Sequence, residues 1–231
     1  MNKYLLTAML GALLVALPAR GQLQESRSNW AVGVNGGVNL NSVSFEPRIK
    51  QASYMAPVMG FTARYISEKY FKMICGIQAE VNYSAHGWKE KIEDGSGDTY
   101  HRQMNYVEIP LLAHLAFGKD GNRGTRFILN LGPQIGILLS EKEVKSDPWN
   151  PDQRANGVVQ QYGYMADRKF DYGITAGAGL EVMTGIGHFI AEARYYYGLS
   201  DFYNNSKKDP FSRSGHSAVV GKVTYLFDLS F

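Results

Sequence analysis

Glu80 and Glu108 are the first residues whose placement could do chemistry. Each sits in an alternating segment, 71–84 and 103–117, and neighbouring strands would bring the two carboxyls together as a general acid–base pair. The same faces carry Arg64, Lys72, Glu181, Glu192, Arg194 and Lys222. An arginine or lysine within reach would hold both acids ionised, and a charge taken out of water costs several kcal/mol unless it is paired. The set therefore reads as a mutually neutralising charge network in a narrow space, not as an acid–base couple.

Other candidates are weaker. His86, His101, His114, His188 and His216 show no metal-ligand spacing, and no glycine-flanked nucleophile serine occurs. They read as isolated surface or lumen histidines. Cys75 is the single cysteine, so it has no internal disulfide partner and reads as a small apolar strand residue. No catalytic residue, metal or cofactor is expected.

The element that frames these positions is the last one. Over 217–231, Val219, Gly221, Val223, Tyr225, Phe227, Leu229 and Phe231 fall on one face, while Val220, Lys222, Thr224, Leu226, Asp228 and Ser230 fall on the other. That is the two-residue period of a strand. Left as an open edge, such a strand is an aggregation hazard, and closure into a barrel removes it. The ending, with Tyr225, Phe227 and Phe231, resembles the terminal signal of bacterial outer-membrane barrels, which the barrel-assembly machinery handles during biogenesis. The last strand of a soluble sandwich is the competing reading.

The opening segment carries an address. Lys3 precedes an apolar run over 4–17, followed by Pro18, Ala19, Arg20 and Gly21, the order of a secretory signal peptide. The run is shorter than the about 20 residues a spanning helix needs. Cleavage after Gly21 gives a leader, 1–21, and a barrel domain, 22–231. Removing Lys3 and Arg20 leaves 22 basic against 21 acidic residues, a balance that argues against a nucleic-acid partner.

Seven further alternating segments precede the last, at about 30–41, 55–66, 71–84, 103–117, 127–139, 170–183 and 189–200. The connections alternate long and short, the longest being 140–169, and residues 67–69 and 184–187 read as tight turns. All short turns then lie at one end with both termini, and all long loops at the other. This is the asymmetry of an all-β, eight-stranded antiparallel up-and-down transmembrane β-barrel, with short periplasmic and long extracellular connections. Pro57, Pro110 and Pro133 fall within strands, where bulges are expected.

Glycine decides which face is inside. Gly33, Gly37, Gly60, Gly76, Gly132, Gly136, Gly173, Gly177, Gly179 and Gly198 share the polar face, and the interior of an eight-stranded barrel is only just wide enough for side chains to fill. A soluble barrel with a greasy interior would carry lysine and glutamate there instead. With the apolar face outward, Trp30, Tyr65, Phe71, Phe117, Phe127, Phe189, Phe227 and Phe231 converge on the periplasmic rim, as an aromatic girdle at a membrane interface requires.

The segments Tyr106-Val107-Glu108-Ile109-Pro110-Leu111-Leu112, Leu131-Gly132-Pro133-Gln134-Ile135-Gly136, Gly177-Ala178-Gly179-Leu180-Glu181 and Ala193-Arg194-Tyr195-Tyr196-Tyr197-Gly198-Leu199 resemble the PorT-like family of small outer-membrane barrels of Bacteroidetes. The resemblance covers nearly the whole mature chain and implies a fold without an activity. One member of that family is associated with protein secretion. The expected function is a non-enzymatic outer-membrane barrel with a plugged polar lumen, in contact with outer-membrane lipid and presenting interaction loops to a protein partner the sequence does not specify. A component of an outer-membrane transport or secretion apparatus is the alternative, and bilayer conductance discriminates between them.

Overall fold

The computed structural model describes residues 25–70, 73–118, 123–151 and 158–229. Within these the strands are β1 (Glu25–Glu46), β2 (Gln51–Ala52), β3 (Tyr54–Tyr70), β4 (Met73–Glu90), β5 (Tyr100–Gly118), β6 (Gly124–Lys145), β7 (Phe170–Thr184), β8 (Gly187–Gly198) and β9 (Arg213–Leu229). β2 is a two-residue stub against the far end of β4. The other eight are the strands expected from alternation. Their order is β4-β3-β1-β9-β8-β7-β6-β5, and β5 pairs back onto β4. Every long strand therefore has two antiparallel neighbours and no long edge is open, the up-and-down architecture. The expected leader, 1–21, together with Phe71, Lys72 and Phe231, lies outside the described residues.

Apolar side chains point outward from the wall. Val34, Phe61, Val81, Leu111, Leu131, Leu180 and Val223 are exposed, whereas Asn35, Thr62, Arg64, Glu80, Thr175, Arg194 and Lys222 are buried inside. Small inner residues make this possible. A Cβ on Gly177 would lie 2.5 Å from Arg194 Cγ and 2.6 Å from Glu192 Oε1, so glycine leaves the space that two charged side chains fill.

β1 and β6 have 22 residues each, about twice the 9–11 a tilted strand needs to cross a bilayer. The surplus stands above the apolar band, and on β1 the polarity of the two faces reverses there. On β1 the outward residues pass from Val38 and Leu40 to Ser42, Ser44 and Glu46, while the buried ones pass from Asn39 and Asn41 to Val43 and Phe45. The alternation itself is not interrupted.

Three register shifts interrupt the ladders, between Ser26 and Asn29, Ile66 and Glu68, and Asn105 and Tyr106. The second carries pairing through residues 67–69, expected to be a turn, so that β3 runs on to Tyr70. At the third, Tyr106 faces Leu138 and Asn105 faces Ser140. Leu139 is thus an extra residue, and beyond it the faces of β6 are exchanged. The bulges expected at Pro57, Pro110 and Pro133 do not occur, since these pair with Val38, Gln134 and Ile174 in the prevailing registers. Proline removes one donor, and a strand bonded on both sides keeps its register through the loss of a single bond.

Candidate functional site

The interior is filled in three layers. Nearest the short turns, Ala31, Ile66, Ile74, Ala116, Ile128, Ile190 and Leu226 form an apolar floor. Cross-strand pairing sets it, because Ile74 faces Ala116 and Ala116 faces Ile128. Leu226 was placed on this face by alternation, but an apolar layer at this height was not expected.

The middle layer holds the predicted charges, in separate groups. Arg194 donates to Glu80 through both terminal nitrogens, Nη1 at 3.0 Å and Nη2 at 2.7 Å, and from Nη2 to Glu192 at 2.7 Å. Lys222, directly opposite Glu192 across β8 and β9, also reaches Glu80. Gln78 and Asn82 donate to the Glu80 oxygens at 2.8 and 2.9 Å, and Asn130 to Glu192 at 2.7 Å. Two carboxylates and two cations are therefore matched and hydrogen-bonded, the condition under which buried charge is tolerated. Nearer the floor, Glu181 meets Arg64 at 2.8 Å, Arg126 at 4.0 Å and His188 at 2.7 Å, and His188 also reaches Asp228 at 2.9 Å. Arg126 and His188 were missed because their segments were taken to begin one residue later, and Asp228 because alternation assigns a face but not a height.

Glu108 stands apart from Glu80. It is held by His86 Nε2 at 2.6 Å and by Gln134 at 2.9 Å. Ser84 Oγ lies 3.1 Å from that same Nε2. A serine–histidine–carboxylate relay needs the two ring nitrogens to serve different partners, and one nitrogen here serves both. Nor are the histidines isolated, as was expected. His216 accepts from or donates to Tyr106 Oη at 3.1 Å and stacks on Phe202, with ring centroids 4.7 Å apart, while His114 meets Asn130 at 2.8 Å. Among the described residues no group of histidine, cysteine or acid is placed to hold a metal ion.

The third layer closes the end that carries the long connections. Val43, Phe45, Ile49, Trp88, Tyr100, Met104, Tyr106, Leu138, Phe202, Tyr203 and Phe211 form one core, with Trp149, Tyr162 and Tyr164 packed against it. Phe45 touches Trp88, Phe202, Tyr203 and Phe211, with ring centroids 5.0 to 6.3 Å apart. Arg102 pins this cap. Fully buried, it pairs with Glu141 and, at 3.1 Å, with Glu143. It also donates to the carbonyls of Tyr164 and Gln161 and to Tyr203 Oη, so one side chain ties β5 and β6 to two connections. Burial alone would lower its pKa, but the facing Tyr203, Tyr100 and Glu141 raise it above the ordinary value. Burial likewise raises Glu143, yet donors on Lys145, Gly163 and Tyr100, with the Arg102 charge, bring it down to about 2. Met104, Tyr106 and Leu138 lie in expected strands, but the rest of the cap was read as connections. Its one signal in the sequence is the density of Trp, Tyr and Phe in stretches too apolar for exposed connections.

On the outer wall near the short turns, Trp30, Phe127, Phe189 and Phe227 are exposed, and Tyr65 and Phe117 partly covered. Trp30 lies 4.8 Å from the Tyr65 ring, Phe117 faces Phe127, and Phe189 lies 4.9 Å from Tyr225. A second outward set, Tyr83, Phe170, Tyr172, Tyr195 and Tyr197, is exposed toward the opposite end, and the sequence reading missed it.

Residues 22–204 match the family model described as outer membrane protein beta-barrel domain. No curated protein sequence matches the chain. Among solved structures, OprG from Pseudomonas aeruginosa is 13% identical, with 87% of this chain and 94% of that one covered at a TM-score of 0.48. Neisserial surface protein A is 12% identical over 86% and 97% at 0.42. Ail of Yersinia pestis is 13% identical over 85% and 98% at 0.36.

Proposed function

We propose, from the premise that this chain belongs to the outer-membrane protein β-barrel domain family and lies in the bacterial outer membrane, that it is a plugged, non-enzymatic barrel whose working surface is its set of long connections. The observation that carries this reading is the cap, which packs eleven buried residues over one mouth around a fully buried arginine. Below it, paired charges and an apolar floor fill the rest of the lumen. A conduit would need a continuous wet path, and an eight-stranded barrel has room only for side chains.

In this reading the leader, 1–21, is removed on export and the long connections face outward. Trp30, Tyr65, Phe71, Phe117, Phe127, Phe189, Phe227 and Phe231 form the periplasmic girdle against lipid. Tyr225, Phe227 and Phe231 serve as the signal for the assembly machinery. The narrower kinship, with the PorT-like family, rests on the four strand motifs around Glu108, Gly132, Gly177 and Arg194.

Planar bilayers test the plug. The expected result is no steady conductance at neutral pH, and a stable open channel would sink the reading in favour of a transport component. Orientation is tested separately, since protease added to intact cells should cut within 146–169. Cutting only after lysis would reverse the topology.

A further inference from the structure

Immediately above the apolar band, the outer wall of β4, β5 and β6 is basic. Lys89 pairs directly with His101, and Gln103 with Lys142, so the four side chains share the outward face, with both lysines exposed. The nearby acids on these strands point the other way. Glu90 accepts from Tyr162 at 2.8 Å, and Glu141 and Glu143 are held inside by Arg102. Neither Lys89 nor Lys142 has an acidic partner among the described residues. Both lysines bear on His101, whose pKa is lowered first by burial and then by Lys89 and Lys142.

The floor of the patch is flat and rich in hydrogen-bonding groups. The Tyr54 ring stacks on His101 at 5.7 Å. Gln103 donates to Asn105 at 2.9 Å, and Asn105 to Ser140 at 2.9 Å. One pair below Asn105 on the same face begin Val107 and Ile137, the apolar wall. Lysine stems lie along apolar surface while their ammonium groups seek anions.

We infer that Lys89 and Lys142, with His101 and Gln103 between them, bind the phosphate groups of an anionic glycolipid in the leaflet that surrounds the long-loop end of the barrel. The patch looks sideways from the wall and continues the lipid-facing surface, so it meets a headgroup rather than a soluble acidic protein approaching from above. Each lysine near an anionic surface contributes enough that losing two should weaken binding by roughly 10- to 30-fold. The inference rests on the outward placement of the long connections proposed above.

The test is native mass spectrometry of the folded, detergent-solubilised protein titrated with bis-phosphorylated lipid A and with the same lipid stripped of phosphate. Wild type should retain the phosphorylated lipid preferentially. Lys89→Gln/Lys142→Gln should lose that preference, while Lys207→Gln/Lys208→Gln, in an exposed connection, keeps it. Heat-modified mobility on a gel verifies that each variant is folded. Absence of lipid retention by wild type, equal retention of both lipids, or an unchanged affinity in the Lys89/Lys142 variant overturns the inference. Because the titration is done in detergent, protease mapping of the loops can fail independently of it.

Discussion

The band that crosses the membrane and the collar above it are made by the same strands under opposite solvent conditions. In the band, lipid wets the outside, so β1 shows it Val34, Val38 and Leu40 and hides Asn35 and Asn39. In the collar, water wets the outside, so β1 shows Ser42, Ser44 and Glu46 and hides Val43 and Phe45. The band is held by ion pairs in a glycine-lined lumen and the collar by an aromatic core. Burial of apolar surface from water stabilises the collar as it would a soluble domain, whereas lipid gives the band no such drive and leaves its interior to hydrogen bonds and charge pairing.

If that contrast is right, the largest effect should come from the band. Arg194→Ala strands Glu80 and Glu192 with Lys222 as their remaining cation. Breaking a buried pair from one side costs about 3–5 kcal/mol. The urea midpoint of the whole barrel in detergent micelles should fall accordingly, with collar and band unfolding together. An unchanged midpoint would mean that the lumen is wet.

A smaller and local effect is expected in the collar. Arg102→Ala removes the donor to Glu141, Glu143 and two backbone carbonyls. Hydrogen bonds to charged groups are worth about 1.5–3 kcal/mol. Protease should cut the 146–169 connection markedly faster than in the wild type while heat-modified gel mobility stays that of a folded barrel. Loss of both together would show that the two regions are one cooperative unit.

Acid sharpens the distinction further. The Glu143 pKa is depressed from 4.5 to about 2 in the folded collar, so its contribution is present above the ordinary carboxylate pKa and is lost as pH falls toward 2. Protease sensitivity of the 146–169 connection should therefore rise between about pH 4.5 and 2. A flat profile across that window would remove Glu143 from the account.

Fluorescence probes the pair with the least disturbance. Trp88 is fully buried in the collar and Trp30 exposed on the band. With Trp88 and Trp149 changed to Phe, Trp30 should be quenched by brominated lipid in bilayers and little by aqueous acrylamide. With Trp30 and Trp149 changed instead, Trp88 should resist both. Quenching of Trp30 in the reverse order would refute its lipid contact.

The band was legible in the sequence and the collar was not, for a physical reason. Alternation between Trp30 and Leu40, or Val107 and Phe117, is strong because one solvent acts along the whole segment. Where the solvent changes, the pattern reverses sign on β1, and on β6 a bulge at Leu139 is followed by residues polar on both faces, so a strand read by its apolar face looks as though it has ended. Segments predicted to stop near Asn41 and Leu139 therefore run on to Glu46 and Lys145. The Glu80–Arg194 pair, joining residues 114 apart, shows the other limit, since periodicity gives a face while partners depend on stagger.

The extra residue at Leu139 also sets the phase in which the outer half of β6 meets Arg102. Up to Leu138 the chain is in one phase, and after Leu139 it is in the other. Were the same sequence to alternate without that irregularity, Ser140 and Lys142 would turn to the inner side, Glu141 and Glu143 would swing out, and a lysine would stand against Arg102 where two acids now do. Substitutions at Leu139 should be mild, because its side chain only faces outward. Removing the same residue would let Ser140 follow Leu138 in plain alternation and keep Glu141 and Glu143 on Arg102, so a homologous barrel that lacks the bulge should be one residue shorter between Tyr106's partner and Arg102's partners.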